Sequence, residues 1–438
     1  MDHESTSETP RQPRPGPALR FCFLTTFYPP HNFGGDGIGI QRLARGLVRA
    51  GHQVTVVYDA EAYEALAPSA PPSGPAEPAE PAGLEVVPLR SGWGKASLLL
   101  TQQLGRPVVN GRRIAQLLAP GRFDVVNFHN VSLIGGPGLF RYGTGIKLYM
   151  AHEHWLVCPT HVLWRHRREV CTGRECLRCQ VSYRRPPQLW RATGMLERES
   201  RHIDSFIAMS EFSRAKHKEF GFTREMEVLP YFLPDDGQEG VPVDTGSPSP
   251  RPYFLFVGRL ELIKGLQDVI PAFAGEGATD LLIAGDGDYG GTLRDQAAGM
   301  PRVRFLGRLA GGELTRHYRH ALALIVPSLC FETFGIILLE AFRQSTPVLV
   351  RRLGPLPEIV TAAGGGEIFS TREELAAAME RLAADPARRA ALGRAARVAF
   401  ESHWSEQIVV PQYLAIVRRA AARKGDTNVL DTLSSRSS

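Results

Sequence analysis

Short apolar runs alternate with amphipathic stretches along most of the chain. The run RFCFLTTF (20–27) predicts a buried strand, and a glycine-rich turn follows it. In the next stretch, IQRLARGLVRAG, apolar residues recur at helical spacing, and HQVTVVY (52–58) predicts a second strand. A strand, a helix and a strand in this order predict a βαβ unit and a parallel sheet.

The same alternation continues to the end of the chain. Further strands are predicted at 84–88, 125–128, 146–150, 205–208 and 227–229. After residue 250 the strands FLFVG, DLLIAG, VRFLG, ALIVPS and PVLV alternate with helices predicted from Leu266, near Leu293, near Leu314 and from Gly335. Helical patterns at 371–384, 386–401 and 404–421 follow.

Two α/β domains are therefore expected. The stretch 235–250 (DDGQEGVPVDTGSPSP) has almost no side chain to bury and predicts a linker. Two doubly wound Rossmann-like domains that face a central cleft would bring their strand ends, where ligands bind, to that cleft. The predicted division is a disordered tail at 1–18, a first domain at 19–234 with a Cys- and Arg-rich insert at 155–191, a second domain at 251–403, a helix at 404–421 that packs back across both domains, and a disordered tail at 422–438.

The composition excludes some classes of protein but does not identify a binding partner. The 438 residues are 43% hydrophobic and 22% charged, which excludes a fibrous or wholly disordered chain. No run approaches the roughly 20 apolar residues that span a bilayer, and the first twenty residues lack the apolar centre of a signal peptide, so we expect a cytoplasmic protein. A net charge of +6 permits an anionic substrate, a membrane surface or nucleic acid.

Two glutamates flank the start of a predicted helix. Glu332 precedes it and Glu340 lies inside it, in CFETFGIILLEAF. A helix N-terminus offers unpaired N–H groups and a positive dipole end, so a nucleotide diphosphate could bind there. Glu332 would then bond sugar hydroxyls and Glu340 a ribose. The alternative is a capping carboxylate and a solvated glutamate.

Two cations follow the first strand of the second domain. Arg259 and Lys264, in FVGRLELIKG, suit a pyrophosphate and could neutralise the charge on a leaving diphosphate. The alternative is two solvated surface bases.

Glycines at 34, 35, 37 and 39 follow the first strand and would let backbone N–H groups approach a phosphate. They fail as a dinucleotide fingerprint, because Ile40 stands where a glycine is needed. A literal G-x-G-x-x-G at 285–290 is interpreted as a turn that closes a strand–helix connection.

Four cysteines fall within a short stretch of the insert. Four thiolates can hold a structural zinc ion and order a loop that has no core of its own. Reduced thiols without metal are the alternative, and a disulfide is disfavoured because no export signal is present. The predicted zinc ligands are Cys158, Cys171, Cys176 and Cys179.

The insert also carries eight arginines against two acids between Trp164 and Arg191. It could bind an anionic acceptor such as a phospholipid-linked or phosphorylated sugar, or present a solvated face. Nucleic acid is a third alternative, which the modest overall charge disfavours.

These motifs together resemble the retaining glycosyltransferases of family 4, which have the GT-B fold. The resemblance rests on PPHNFGG…LARGLVRAGHQVTVV, FVGRLELIKG, GDG and PSLCFETFGIILLEAF…TPVLV, and runs from about Leu19 to Ala421. It implies a nucleotide-sugar donor bound mainly by the second domain, an acceptor bound by the first, and no metal or other cofactor required for catalysis.

The resemblance also implies roles for single residues. Arg259 and Lys264 would hold the donor diphosphate, Glu332 would contact the transferred sugar, and Glu340 would hold the ribose. His152, at a strand end in KLYMAHEHW, would lie near the transferred sugar, although Glu153 replaces the Asp that often follows it. The remaining donor-binding positions are Gly34, Gly35, Thr333, Phe334, Gly335 and Ile336.

We therefore expect a retaining glycosyltransferase that moves a sugar from a nucleoside diphosphate to a hydroxyl of a glycan, a lipid-linked or a small-molecule acceptor. A disaccharide phosphorylase on the same fold, a nucleic-acid-binding protein and a non-catalytic sugar-nucleotide sensor are the alternatives. No nucleic acid is expected as a partner, and peripheral contact with a membrane is compatible with the charge.

Overall fold

The computed structural model describes residues 18–66, 80–234, 246–309 and 311–435. The predicted N-terminal tail at 1–18 therefore lies outside the described residues except for Ala18, and so does most of the predicted linker, at 235–245.

The first half of the chain builds a seven-stranded parallel sheet of order β3-β2-β1-β4-β5-β8-β9. Its strands are β1 (Arg20–Thr25), β2 (Gln53–Asp59), β3 (Leu84–Leu89), β4 (Val125–Phe128), β5 (Ile146–Ala151), β8 (Ser205–Ala208) and β9 (Met226–Val228). The helices are α1 (Gly35–Arg49), α2 (Ala60–Leu66), α3 (Lys95–Leu104), α4 (Gly111–Leu117), α5 (Cys176–Ser182), α6 (Met195–Ser200) and α7 (Glu211–Glu219). A small antiparallel hairpin, β6 (Trp164–Arg165) with β7 (Glu169–Val170), lies in the insert.

The second half builds a six-stranded parallel sheet of order β12-β11-β10-β13-β14-β15. Its strands are β10 (Tyr253–Val257), β11 (Asp280–Ala284), β12 (Val303–Gly307), β13 (Leu324–Val326), β14 (Val348–Arg351) and β15 (Gly366–Phe369). The helices are α8 (Gly290–Gln296), α9 (Gly311–His320), α10 (Ile336–Arg343), α11 (Leu356–Ala363), α12 (Arg372–Ala384), α13 (Pro386–His403), α14 (Glu406–Lys424) and α15 (Thr427–Ser434).

Both sheets are covered by helices on their two faces, which is why their strands are continuous apolar runs. The strand order reverses between β1 and β4 in the first sheet and between β10 and β13 in the second. Ligands of doubly wound folds bind outside the strand ends at such a reversal. The predicted fold class, two doubly wound Rossmann-like domains in the GT-B arrangement, is confirmed.

Two predictions of local structure were wrong. The helix expected from Leu266 is a series of short 3-10 turns, because Gly265 adopts a left-handed φ of 75° and Pro271 removes a backbone donor. The tail expected to be disordered at 422–438 instead contains the end of α14 and α15, whose Val429 and Leu433 are buried; residues 436–438 lie outside the described part.

The last helices return to the first domain. After α13 ends, Ser405 pairs with Leu233, and the carboxylate of Glu406 binds the Arg49 guanidinium of α1. α14 then packs against α1 and β5. The core of the first domain therefore includes side chains from the end of the chain.

Candidate functional site

The two domains meet where the N-terminus of α10 faces the start of α1. A Cβ placed on Gly35 would lie 3.4 Å from Cδ1 of Ile336, so the end of the Ile336 side chain packs on the Gly35 backbone. The Thr333 hydroxyl donates to the His152 carbonyl over 2.9 Å, and Ser210 donates to the Thr333 carbonyl over 2.8 Å. Predicted residues from the two domains thus lie at one interface.

An ion pair stands at the strand reversal of the second domain. Lys264, after β10, donates from Nζ to Oε1 of Glu332, after β13, over 2.7 Å. Ser328 donates to the same carboxylate oxygen over 2.8 Å. Arg259 is half exposed and pairs with Glu261, while its charge also acts on both Lys264 and Glu332. The predicted cations and the first glutamate are therefore one cluster.

The pair holds both partners charged. Burial by itself would raise the pKa of Glu332, but the Lys264 ammonium outweighs it and the net pKa is lowered. Burial by itself would lower the pKa of Lys264, but the Glu332 carboxylate outweighs it and the net pKa is raised. The cluster therefore presents a fixed ammonium and a fixed carboxylate at neutral pH.

Glu340 lies farther along α10 and is held from both domains. The Tyr318 hydroxyl donates to its Oε2 over 2.9 Å, and the Arg42 guanidinium of α1 lies 3.6 Å from its Oε1. Neither Tyr318 nor Arg42 was predicted, because both contacts join segments that are remote in sequence.

The residues between Glu332 and Glu340 contact different parts of the structure. Phe334 is buried against the ring of Tyr231, with centroids 5.8 Å apart. Gly335 adopts a φ of 112° and caps α10, which leaves the backbone N–H groups of the first turn available. The Thr333 side chain is used at the domain interface, and Ile336 faces Gly35.

His152 belongs to a buried chain of polar rings. Its Nε2 pairs with Nδ1 of His129, 2.8 Å away, and its Nδ1 pairs with the Tyr231 hydroxyl. Burial lowers the pKa of His152 to about 3, and burial together with His152 lowers that of His129, so both imidazoles are neutral. Because both ring nitrogens have protein partners, the backbone carbonyl is the part of His152 that reaches the second domain.

Two carboxylates of the first domain, Asp36 and Glu153, lie near these hydrogen-bonded rings. Burial, and then the Glu153 charge, raise the pKa of Asp36 at the start of α1. The Asp36 carboxylate accepts from Asn130, which follows β4, and Glu153 pairs with His161 over 2.7 Å. Asp36 was not among the predicted residues, since one acid in a glycine-rich turn carries no distinctive spacing.

The glycines of the G-x-G-x-x-G sequence at 285–290 allow close packing of the backbone. A Cβ on Gly285 would lie 1.9 Å from the Gly258 carbonyl oxygen, so a glycine is needed where the chain leaves the neighbouring parallel strands β10 and β11. This geometry agrees with a turn that closes a strand–helix connection.

The four cysteines of the insert line one small cavity. The His166 amide donates to the Cys179 sulfur, and the Cys171 thiol donates to the Gly173 carbonyl. Within the described residues, no three His, Cys, Asp or Glu side chains stand close enough together to hold a metal ion. The four thiols as placed do not fit a zinc site, and the structural zinc stays a prediction.

Comparison with protein families agrees with this geometry. A family described as Glycosyltransferase Family 4 matches residues 33–235, and one described as Glycosyl transferases group 1 matches residues 238–399. The chain is a glycosyltransferase of the family 4 type. The two matches meet at the predicted linker, so the first covers the first sheet apart from β1 and the second covers the second sheet.

Relatives of this glycosyltransferase carry related names. An uncharacterized glycosyltransferase of Methanocaldococcus jannaschii is 24% identical over 78% of this chain and 83% of its own length. A GDP-mannose-dependent monoacylated phosphatidylinositol monomannoside mannosyltransferase of Corynebacterium glutamicum is 36% identical over 35% of this chain and 41% of its own.

Solved structures of low identity share the fold. Sucrose-phosphate synthase from Thermosynechococcus elongatus has a TM-score of 0.69 at 18% identity, covering 92% of this chain and 100% of its own. The Anabaena protein HepE, solved with UDP and glucose, has a TM-score of 0.61 at 16% identity, covering 91% and 99%. Among the helices of the described residues, none combines the length and apolar character needed to cross a membrane.

Proposed function

We propose that this glycosyltransferase moves a sugar from a nucleoside-diphosphate sugar to an acceptor hydroxyl with retention of anomeric configuration. The observation that carries the proposal is the Lys264–Glu332 pair beside the N-terminus of α10, with Glu340 farther along the same helix. A relative named as GDP-mannose-dependent and structures titled with UDP or UDP-glucose support a nucleotide-sugar donor.

The proposed donor lies along α10. Its diphosphate is bound by Arg259, Lys264 and the first N–H groups of the helix, which carry positive charge. The transferred sugar faces Glu332, and the ribose hydroxyls bond Glu340 beside Tyr318. Gly35 leaves room for the phosphates because it has no side chain.

In the proposed reaction the bond from the anomeric carbon to the diphosphate oxygen breaks, and the diphosphate leaves with the electron pair. The acceptor oxygen bonds the same face of that carbon, and its proton passes to the departing phosphate oxygen. The cations stabilise the leaving group, and Glu332 stabilises the positive charge that develops on the sugar. No metal or other cofactor is required, since the two basic side chains supply the positive charge.

A screen of nucleotides and nucleotide sugars tests the proposal. A ligand present at one hundred times its Kd stabilises the folded chain by about 2.7 kcal/mol, which a thermal melt detects. We expect stabilisation by one nucleoside diphosphate series, its loss in Lys264→Ala, and a product whose anomeric NMR signal matches the donor's configuration. Stabilisation by inorganic phosphate with cleavage of a disaccharide would identify a phosphorylase instead, and an inverted product would refute retention.

A further inference from the structure

Helix α3 exposes more apolar surface than it buries. Its buried side carries Leu98 together with the polar residues Ser97 and Thr101. On its outer side, Leu99, Leu100 and Leu104 are 50%, 36% and 48% exposed. A surface helix of a globular protein ordinarily places apolar side chains inward and polar side chains outward. The outer side of α3 is therefore built for an apolar environment.

The same pattern recurs in the insert. On α5, Gln180 is buried, while Leu177 and Val181, one turn apart, are 64% and 65% exposed. In the segment after α5, Gln188 is buried and the adjacent Leu189 is 60% exposed.

These elements adjoin one another. Gln102 of α3 donates to the Pro186 carbonyl over 3.2 Å and accepts from the Trp190 indole over 3.1 Å. The Gln188 amide donates to the side chain of Gln180 on α5 over 3.2 Å. We call the outer side of α3, α5 and residues 184–189 the α3–α5 face.

The charge of the α3–α5 face has one sign. Residues 86–123 and 176–196, which contain it, include no Asp or Glu. Its exposed basic side chains belong to none of the ion pairs formed by the described residues. They are Lys95, Arg178, Arg184 and Arg185, together with Arg106, two residues after α3.

We propose that the α3–α5 face binds the surface of an anionic lipid bilayer. Exposed leucine and valine side chains enter the boundary between headgroups and acyl chains, and the unpaired basic groups bind lipid phosphates. Elsewhere in the insert, Cys158 and Leu163 pack with Phe331, which precedes Glu332. The insert therefore joins the α3–α5 face to the loop that carries Glu332.

A nucleic acid fits this face less well. Single-stranded nucleic acids bind basic grooves lined by aromatic rings on which bases stack. Exposed side chains here are mainly aliphatic, and one exposed ring, Trp93, stands just before α3.

Flotation of the full chain with vesicles tests the proposal. We expect binding to vesicles of equal parts phosphatidylcholine and phosphatidylglycerol, weak binding to phosphatidylcholine alone, and loss of binding at high salt. Arg106→Gln with Arg178→Gln should weaken the binding about 25-fold, because each basic residue near an anionic surface contributes ~1 kcal/mol, or about fivefold. Leu100→Ser with Leu104→Ser should weaken the binding even at low salt, where the attraction of the basic side chains is strongest.

A matched control lies on the second domain. Arg394→Gln with Val398→Ser changes one exposed arginine and one exposed valine of α13 and should leave binding unchanged. Absence of wild-type flotation, equal loss in the control, or tighter binding of RNA that competes with vesicles would each overturn the proposal. Stabilisation by nucleotides reports the donor site separately, and the variants of the face should retain it.

Discussion

Lys264 Nζ lies 2.7 Å from Glu332 Oε1, although 68 residues separate them in the chain. Each partner keeps the other charged, so removal of one leaves an unpaired charge in a partly buried site. Single and double substitutions therefore measure different quantities. A Lys264→Met, Glu332→Gln double variant should be more stable than the sum of the single losses predicts, and a double-mutant cycle of unfolding free energies measures the difference.

Loss of either cation should slow transfer. Lys264→Ala and Arg259→Ala should each lower kcat/KM by roughly 100-fold or more, as when one contact to transition-state charge is removed. Arg394→Ala, an exposed arginine on α13, is the matched control and should change little. Unaltered kinetics in both site variants would remove the donor assignment.

Substitutions of Glu332 and Glu340 should affect different kinetic constants. In the proposed binding mode Glu332 faces the sugar, which gains charge in the transition state, whereas the ribose near Glu340 does not change during reaction. Glu332→Gln should chiefly lower kcat, and Glu340→Gln should chiefly raise the KM for the donor. Steady-state kinetics on both variants tests this prediction. A loss of kcat in Glu340→Gln with a raised donor KM in Glu332→Gln would mean that the donor lies in the opposite direction along α10.

Acid should weaken the fold through Glu332. The pKa of Glu332 is lowered in the folded chain, so its stabilisation is complete above 4.5, the ordinary pKa of a glutamate, and is lost as the pH falls through the folded-state pKa. Melting temperatures of the wild type and Glu332→Gln should therefore converge as the pH is lowered below about 4.5. A difference that stays constant from neutral to acid pH would contradict the lowered pKa.

Tyr231→Phe should reveal whether the buried imidazole chain affects transfer. The substitution leaves His152 without one partner, at a cost of ~1–3 kcal/mol of stability. We also expect a severalfold loss of kcat, because the His152 carbonyl anchors Thr333 next to Glu332. Tyr253→Phe, which removes a buried hydrogen bond to the His317 carbonyl, is the control: it should lower stability and spare kcat.

Transfer should persist in a chelator. In the proposed mechanism Arg259 and Lys264 provide the positive charge that a divalent cation would otherwise supply to the leaving diphosphate. Initial rates with and without EDTA, measured after removal of added metal, should agree. Abolition of turnover by EDTA and its recovery with Mg²⁺ would show that the two side chains do not suffice.

Buried strands were the most predictable part of the fold. The strands at 125–128 and 205–208 have the predicted bounds, since a parallel strand covered on both faces is a continuous apolar run. The helix predicted from Leu266 did not form, because Gly265 has a left-handed φ and Pro271 lacks a backbone N–H. α15 was missed because its two buried apolar side chains, Val429 and Leu433, are four residues apart in an otherwise polar tail.

Only part of the candidate site could be predicted from the sequence. Glu332, Arg259 and Lys264 stand in compact motifs next to strand ends, so their convergence could be expected. Tyr318 and Arg42 reach Glu340 from α9 and α1, and a single sequence has no signal for such pairs. The exposed apolar side of α3 was readable only after the structure showed which side of the helix is buried.

The return of α14 to the first sheet affects how this protein is made. A ribosome delivers residues 19–234 first, yet Tyr413, whose hydroxyl accepts from Asn127 of β4, arrives almost at the end of synthesis. Domains generally fold as units during synthesis. Here the domain that is translated first completes its core last, after the second domain has emerged. Truncation shortly after α13 would therefore unfold the opposite end of the molecule.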